Sequence, residues 1–274
     1  MQTVYDREVT LHSRNVQGRN ALTERAGRVA VFYKPAHARK TQPGAWRRLA
    51  AVALCCGALL CAFRLYGRAR SRFGVQLPVR TVLQNPELPN GCEITSCCEV
   101  LHYLGFAPDK CELADDYLPC SAQWYGADPD EVYMGNPHLD DGSPETGYYC
   151  FAGPIVQAAN AYLAVQGSSC RAYDLTGAEE AELASQLQTG NPVIFWATLH
   201  FGDIQHDPCG EYDLPGGRRH EVLHTLHCMV LCGMDDQNFV VADPLDFNRV
   251  VPRVQFMKIY RQLGRRAVVI KKDS

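Results

Sequence analysis

The chain has 274 residues, 46% of them hydrophobic, and a formal charge of −3. That is enough for one domain of about 200 residues with an N-terminal extension, and the composition is that of a folded protein. Charge is uneven: residues 1–48 hold 10 basic and 3 acidic side chains, residues 64–72 add four arginines, and from Phe73 onward 27 acidic residues stand against 13 basic ones. An acidic domain argues against nucleic acid as a partner, and the basic tail suits an anionic membrane surface.

Residues 1–48 lack apolar periodicity and read as a basic flexible tail. Leu49 to Phe63 is an uncharged apolar run of 15 residues. A spanning helix wants about 20, but Arg48 and Arg64 can snorkel, and Trp46, Leu65 and Tyr66 can extend its edges. No small-residue cleavage pattern follows promptly, so 49–66 is expected to be an uncleaved transmembrane signal anchor rather than a removed signal peptide. Basic residues flank both sides, which leaves orientation poorly determined by charge. A lone domain behind an anchor favours the cell membrane, single-pass, with that domain extracytoplasmic. Residues 67–76 are a linker, and 77–270 one domain beginning in a strand at Leu77-Pro78-Val79.

Cys92 follows Pro89-Asn90-Gly91 and precedes a helical pattern over about 92–104, in which Ile94, Cys97, Cys98, Leu101 and Leu104 recur and Gly105 ends the run. Cys92 therefore sits at a helix N-terminus, where the dipole and unpaired N–H groups favour a thiolate and should depress its pKa. Residues 112–117 suit a short helix. Residues 119–150, rich in Gly, Pro, Asp and Tyr, read as a long surface excursion that could line a groove. Pro154 opens a helix through Ile155, Ala158, Ala159, Tyr162 and Leu163. Thr176 and Glu179 have capping-box spacing before a helix over 181–187, which Gly190 closes. Pro192 to Ala197 is a buried strand.

His220-Glu221-Val222-Leu223-His224 matches the H-E-x-x-H zinc pattern, which needs a helix to bring both histidines to one face. Gly216-Gly217 before it and the β-forming residues after it oppose that helix. His200, Asp203, His206 and Asp207 form a second polar cluster, read as solvated loop side chains. Thr225 to Gly233 reads as a buried strand, Met234 to Asn238 as a turn, and Phe239 to Ala242 as a second strand closed by Asp243-Pro244. A hairpin centred near Asp235–Asp236 sets His227 across from Asp243, where a carboxylate fixes the imidazole tautomer. Of the 13 cysteines, ten lie in the domain, and setting Cys92 aside leaves nine, so they cannot all pair. Cys97, Cys98, Cys228 and Cys232 suit buried thiols. No phosphate-binding glycine loop or internal repeat is present, and no cofactor is expected.

Gln84 to Glu93, the strand from His227 to Gly233, and Asp243-Pro244 resemble the bacteriocin-leader-peptidase family, cysteine peptidase family thirty-nine, in its broader "like" branch. The resemblance covers roughly residues 74–260, and Pro89-x-Gly91-Cys92-Glu93 is its most specific element. It implies an α+β papain-like fold, with an N-terminal nucleophile helix packed on a C-terminal antiparallel sheet. It also implies a thiol peptidase or amidase acting on a peptide or protein through a cysteinyl thioester. By position Cys92 resembles the nucleophile, His227 the base, Asp243 the orienting residue and Gln84 the oxyanion-hole glutamine. An Asn-Pro-Glu-Leu-Pro insert separates Gln84 from Cys92. A transamidase or a non-catalytic binding module on the same fold, and a zinc metallopeptidase at His220-Glu221-x-x-His224, are the competing readings.

Overall fold

The computed structural model describes residues 52–57 and 74–273. Residues 52–57 are helical; the remainder of the expected anchor, the basic tail and most of the linker lie outside the described residues. Among the described residues no helix is long and apolar enough to cross a membrane.

From residue 74 onward the chain is an α+β fold. Strand β1 is Val75–Gln76, and α1 is Cys92–Tyr103. Helix α2 is Ala152–Val165, β2 is Cys170–Asp174, α3 is Glu180–Gln188 and β3 is Val193–Thr198. A two-stranded hairpin follows, β4 (His206–Asp213) with β5 (Arg219–Leu223). Then come β6 (Leu226–Met234), β7 (Asn238–Ala242), β8 (Arg249–Pro252), α4 (Arg253–Gln262) and β9 (Ala267–Lys272). The main sheet runs β2-β9-β3-β6-β7-β8, with β1 on the far end of β6, and every pairing is antiparallel.

Alternation along β6 divides the core in two. Cys228, Val230 and Cys232 pack with α1 and α2, whereas Met229 and Leu231 pack with α3 and α4. Both faces of the strand are covered, which is why Leu226–Met234 reads as a nearly continuous apolar run. The domain thus buries α1 between the sheet and the rest of the helical layer. Cys92 through Leu101 are all buried, so α1 is not the one-sided helix that the spacing of its apolar residues predicts. Four of those ten are polar: Glu93, Thr95, Ser96 and Glu99. Gly105 adopts φ +91° and Phe106 N–H reaches back to the Leu101 carbonyl, so the helix ends in the glycine cap its sequence announces.

Several expectations are corrected. The first strand lies at Val75–Gln76, ahead of Leu77-Pro78-Val79. Lys110–Glu112 and a wider turn over Leu113–Tyr117 replace one short helix. The capping box at Thr176 and Glu179 does not form. Glu179 is itself the N-cap of α3, with its side chain paired to Arg265 instead of capping the helix, and Asp174 accepts the Thr176 N–H in a turn. The 119–150 segment is not a surface excursion: Tyr133, Met134, Tyr149 and Cys150 are buried. Backbone pairs Cys120 with Tyr133 and Asn136 with Thr146, and Trp196 Nε1 donates to the Cys150 carbonyl at 2.8 Å. Its Gly, Pro and Asp content marks irregular backbone, not exposure.

Glu99 gives the fold a pH signature. Its Oε1 accepts Val82 N–H at 2.8 Å, its Oε2 has no partner, and burial pushes the carboxyl up to about 8. The folded chain therefore keeps a proton that the unfolded chain releases from about pH 4.5 upward, and stability falls as pH rises from there to about 8. Relative to the native chain, Glu99→Gln should gain stability between pH 5 and pH 8, on the order of a few kcal/mol. Thermal melts of both proteins across that range check this; a constant gap between them would contradict it.

Candidate active site

Cys92 opens α1 with no side-chain cap before it. Gly91 is required there by close packing, since a Cβ would lie 2.7 Å from Leu88 Cβ, and Leu88 is fully buried. Tyr133 Oη donates to the Asn90 carbonyl at 2.6 Å and fixes the turn from the loop side. The helix start is thus locked by its surroundings.

His227 stands near the beginning of β6, opposite Ala197 of β3. The β6–β7 register differs from the expected one. Val230 pairs with Ala242 and Leu231 with Val241, and a bulge follows before Gly233 meets Val240. That register sets Asp243 diagonal to His227 rather than directly across, a separation long side chains on one face can bridge. They do: His227 Nε2 and Asp243 Oδ1 are 2.7 Å apart, and both side chains are 3% exposed. Leu245 N–H donates to the same Oδ1 at 2.9 Å, and Arg249 Nη2 forms an ion pair with Oδ2. Burial works to raise the Asp243 carboxyl, but the His227 hydrogen bond, the His227 charge, the Leu245 N–H and Arg249 together hold it below the usual range.

Gln84 is 2% exposed. Its backbone N–H bonds the Pro244 carbonyl at 2.8 Å, which ties it to the Asp243-Pro244 corner. Its Nε2 donates to the Pro89 carbonyl at 2.6 Å and its Oε1 has no partner. Lys110 Nζ fastens the same segment, donating to the carbonyls of Leu83 (2.6 Å) and Gln84 (2.8 Å) and pairing with Glu87 at 2.7 Å.

Gln84, Cys92 and His227 line one cavity of about 350 Å³, with Asp243 behind the histidine. Tyr148, Tyr149, Asp207, His224 and Leu245 complete much of its wall. The volume is within the usual range of small-ligand clefts. All four sequence-selected residues are therefore brought to one place.

The ionisation of Cys92 departs from expectation. Its Sγ donates to Glu93 Oε2 at 3.3 Å and makes no hydrogen bond to His227. Burial first, then the Glu93 carboxylate and the Cys228 thiol, push the Cys92 thiol well up, against the pull of the Cys228 N–H. The helix dipole does not prevail, because the first turn also holds a buried acid that opposes a second negative charge. The sequence motif contains Glu93 without assigning it a role, and it does not point to Arg249 or Lys110; Tyr148 and Tyr149 come from the 119–150 segment expected to line a groove. The Cys-Glu pair was the visible signal for Glu93; the other contacts cross between elements and leave no spacing to read.

The rival clusters disperse. His220 to Leu223 is part of β5, a strand, and four residues along a strand span about 13 Å, so His220 and His224 share no helix face. His220 Nε2 bonds Tyr149 Oη at 3.0 Å. His200, Asp203 and His206 turn to Arg249, Lys258 and Glu221 respectively. Asp207 is not a solvated loop side chain: it is buried in the cavity wall, beside Tyr148 Oη and His224. Cys97, Cys98, Cys228 and Cys232 are buried free thiols.

A helix-borne cysteine and a sheet-borne His–Asp pair opening on one cleft define the papain-like class of architecture. The chain belongs to the Peptidase_C39 like family, whose model matches residues 76–268. The uncharacterized protein YvpB of Bacillus subtilis (strain 168) is 32% identical over 207 residues, 73% of this chain and 78% of that one. The crystal structure of a candidate C39-like peptidase from Bacillus anthracis is 30% identical with a TM-score of 0.63, over 73% of this chain and 98% of that chain.

Because Asp243 is ionised below the usual range in the fold, its contribution to stability is present above the unfolded pKa and is lost as pH falls through the folded one. Asp243→Asn should lower the melting temperature by several degrees at pH 7 and by much less at pH 2. Calorimetry at the two pH values checks this; an equal loss at both would mean the carboxylate charge contributes nothing.

Proposed function

We propose that the protein is a thiol peptidase or amidase that cleaves a peptide or amide bond through a Cys92 thioester. The observation that carries this reading is the buried 2.7 Å His227–Asp243 contact on the cavity that Cys92 and Gln84 also line. With Nε2 of His227 held by Asp243, Nδ1 is the nitrogen left for Cys92. The Cys92 proton passes to Nδ1, and the sulfur attacks the carbonyl carbon. The developing oxyanion takes the Cys92 backbone N–H at the helix start and a Gln84 amide N–H; a primary amide has two such donors, and Pro89 uses one. His227 then returns the proton to the leaving amine, and water, deprotonated by the same ring, hydrolyses the thioester. Asp243 holds the ring and stabilises its protonated form. An amine in place of water would make the same intermediate a transamidase, so the acceptor decides between the two outcomes.

The family and the paired His227–Asp243 favour cysteine chemistry over the zinc reading, because the H-E-x-x-H residues lie on a strand. His227→Ala should reduce kcat by several orders of magnitude, whereas His220→Gln, which keeps a partner for Tyr149, should keep kcat within a few-fold. Peptide hydrolysis by both variants, with and without EDTA, checks this. Loss of activity in His220→Gln together with EDTA inhibition reversed by Zn²⁺ would overturn the reading in favour of a metallopeptidase.

The apolar run at 49–63 and its flanking arginines support a further element: a single-pass anchor over 49–66 holding the domain outside the cell membrane. Fractionation followed by protease shaving of intact cells should find the domain membrane-bound and digestible. A soluble domain, or one protected until lysis, would contradict this.

A further inference from the structure

Glu93 follows the nucleophile directly, yet no step above uses it. It is fully buried, and its two oxygens have different partners. Oε2 accepts the Cys92 thiol hydrogen at 3.3 Å, and Oε1 accepts the Cys150 N–H at 3.3 Å. Its own backbone N–H at the helix start adds to these. Cys150 is held from its other side by Trp196 Nε1, and it closes the loop that carries Tyr148 and Tyr149 onto the cavity. One carboxylate therefore links the nucleophile's hydrogen to the cavity wall.

The ionisable groups around it are Cys92 on its own helix, Tyr133, Tyr149 and Cys150 from the loop side, and Cys228 from β6. All are acids that are neutral when protonated, and among the described residues no basic side chain pairs with Glu93. When ionised, Glu93 is a buried negative charge held only by hydrogen-bond donors, and the thiol is one of the three. Burial pushes its carboxyl up to about 7, so its charge changes within the range in which a thiol enzyme works.

We propose that Glu93 is a positioning residue for the nucleophile: its carboxylate holds the Cys92 hydrogen and keeps Cys92 a thiol at rest, and neutralising that carboxylate releases the sulfur to give its proton to His227. In that step the S–H bond breaks, the proton goes to His227 Nδ1, and the electron pair stays on Sγ. A protonated Glu93 can then donate its own O–H to the thiolate, whereas an ionised one opposes it. The effect is a latch that is closed by a rise in pH and opened by a fall. The inference rests on the reading of Cys92 as nucleophile.

The test is the rate of Cys92 alkylation by iodoacetamide from pH 5 to pH 9, mapped by mass spectrometry in the native chain and in Glu93→Gln. The native profile should flatten near pH 7, where the gain in thiolate with pH is offset by Glu93 ionising. Glu93→Gln keeps an acceptor for Cys150 but removes the charge; its profile should rise without a shoulder and exceed the native rate at pH 8 by about tenfold or more. A native profile of constant slope, or a variant rate at or below the native one at pH 8, would overturn the proposal. If the variant does not fold, the shoulder in the native chain decides alone. Alkylation reads the sulfur without turnover, so the two readings fail separately. A shoulder in a chain that hydrolyses nothing would sink the peptidase assignment, and a straight profile in a chain that Cys92→Ala inactivates would sink the latch.

Discussion

Everything at this site depends on the burial of α1 on all sides. Cys92 to Leu101 have sheet on one flank and loop or helix on the others, so the helix start is a desolvated position and not an exposed one. Burial fixes Cys92 within a narrow range of positions, with Gly91 pressed on Leu88 and the Cys228 N–H bonded to the sulfur. It also raises the free energy of any charge placed there, so the ionisation of Cys92 becomes a question of its neighbours. The buried acids Glu93 and Glu99 on that helix are costly unless each keeps a proton or a strong donor, and both carboxyls are shifted upward accordingly.

The second element of the site solves the same problem differently. Asp243 is nearly as buried, yet its carboxyl is held low because His227, the Leu245 N–H and Arg249 all converge on it. The two carboxylates nearest the cavity are thus set apart in pKa: burial raises Glu93, whereas at Asp243 the partners outweigh burial. Such a split leaves one carboxyl charged behind His227 and the other able to gain or lose charge beside Cys92.

Much of this was legible in the sequence, for physical reasons. Gly105 had to end α1, because its left-handed backbone is the glycine cap. The long apolar run from Leu226 announced a central strand covered on both faces. The helix start marked Cys92, the paired strands marked His227 and Asp243, the family resemblance added Gln84, and the structure gathers all four. What was not legible came from packing between distant segments. The loop over 119–150 looked exposed by composition, although Tyr133 and Cys150 are core residues. The turn closes over Asp235 to Asn238, later than a centre at Asp235–Asp236, and this displaces the register; the bulge in β6 takes back one residue, and the two side chains meet because both face one way on adjacent strands. The depressed thiol expected for Cys92 followed from a helix dipole taken alone; the opposing carboxylate is the next residue, but its burial cannot be seen in the sequence.

Catalysis as proposed requires Cys92 to form a covalent bond to a substrate carbonyl at this cavity, with Gln84 receiving the oxygen. A crystal structure with a peptide aldehyde tests it most directly. The expected result is a thiohemiacetal on Cys92 Sγ, with its oxygen within hydrogen-bond reach of the Cys92 N–H and Gln84 Nε2, and His227 Nδ1 turned toward the sulfur. An aldehyde bound to another side chain, or an adduct on Cys92 whose oxygen points away from Gln84, would contradict it.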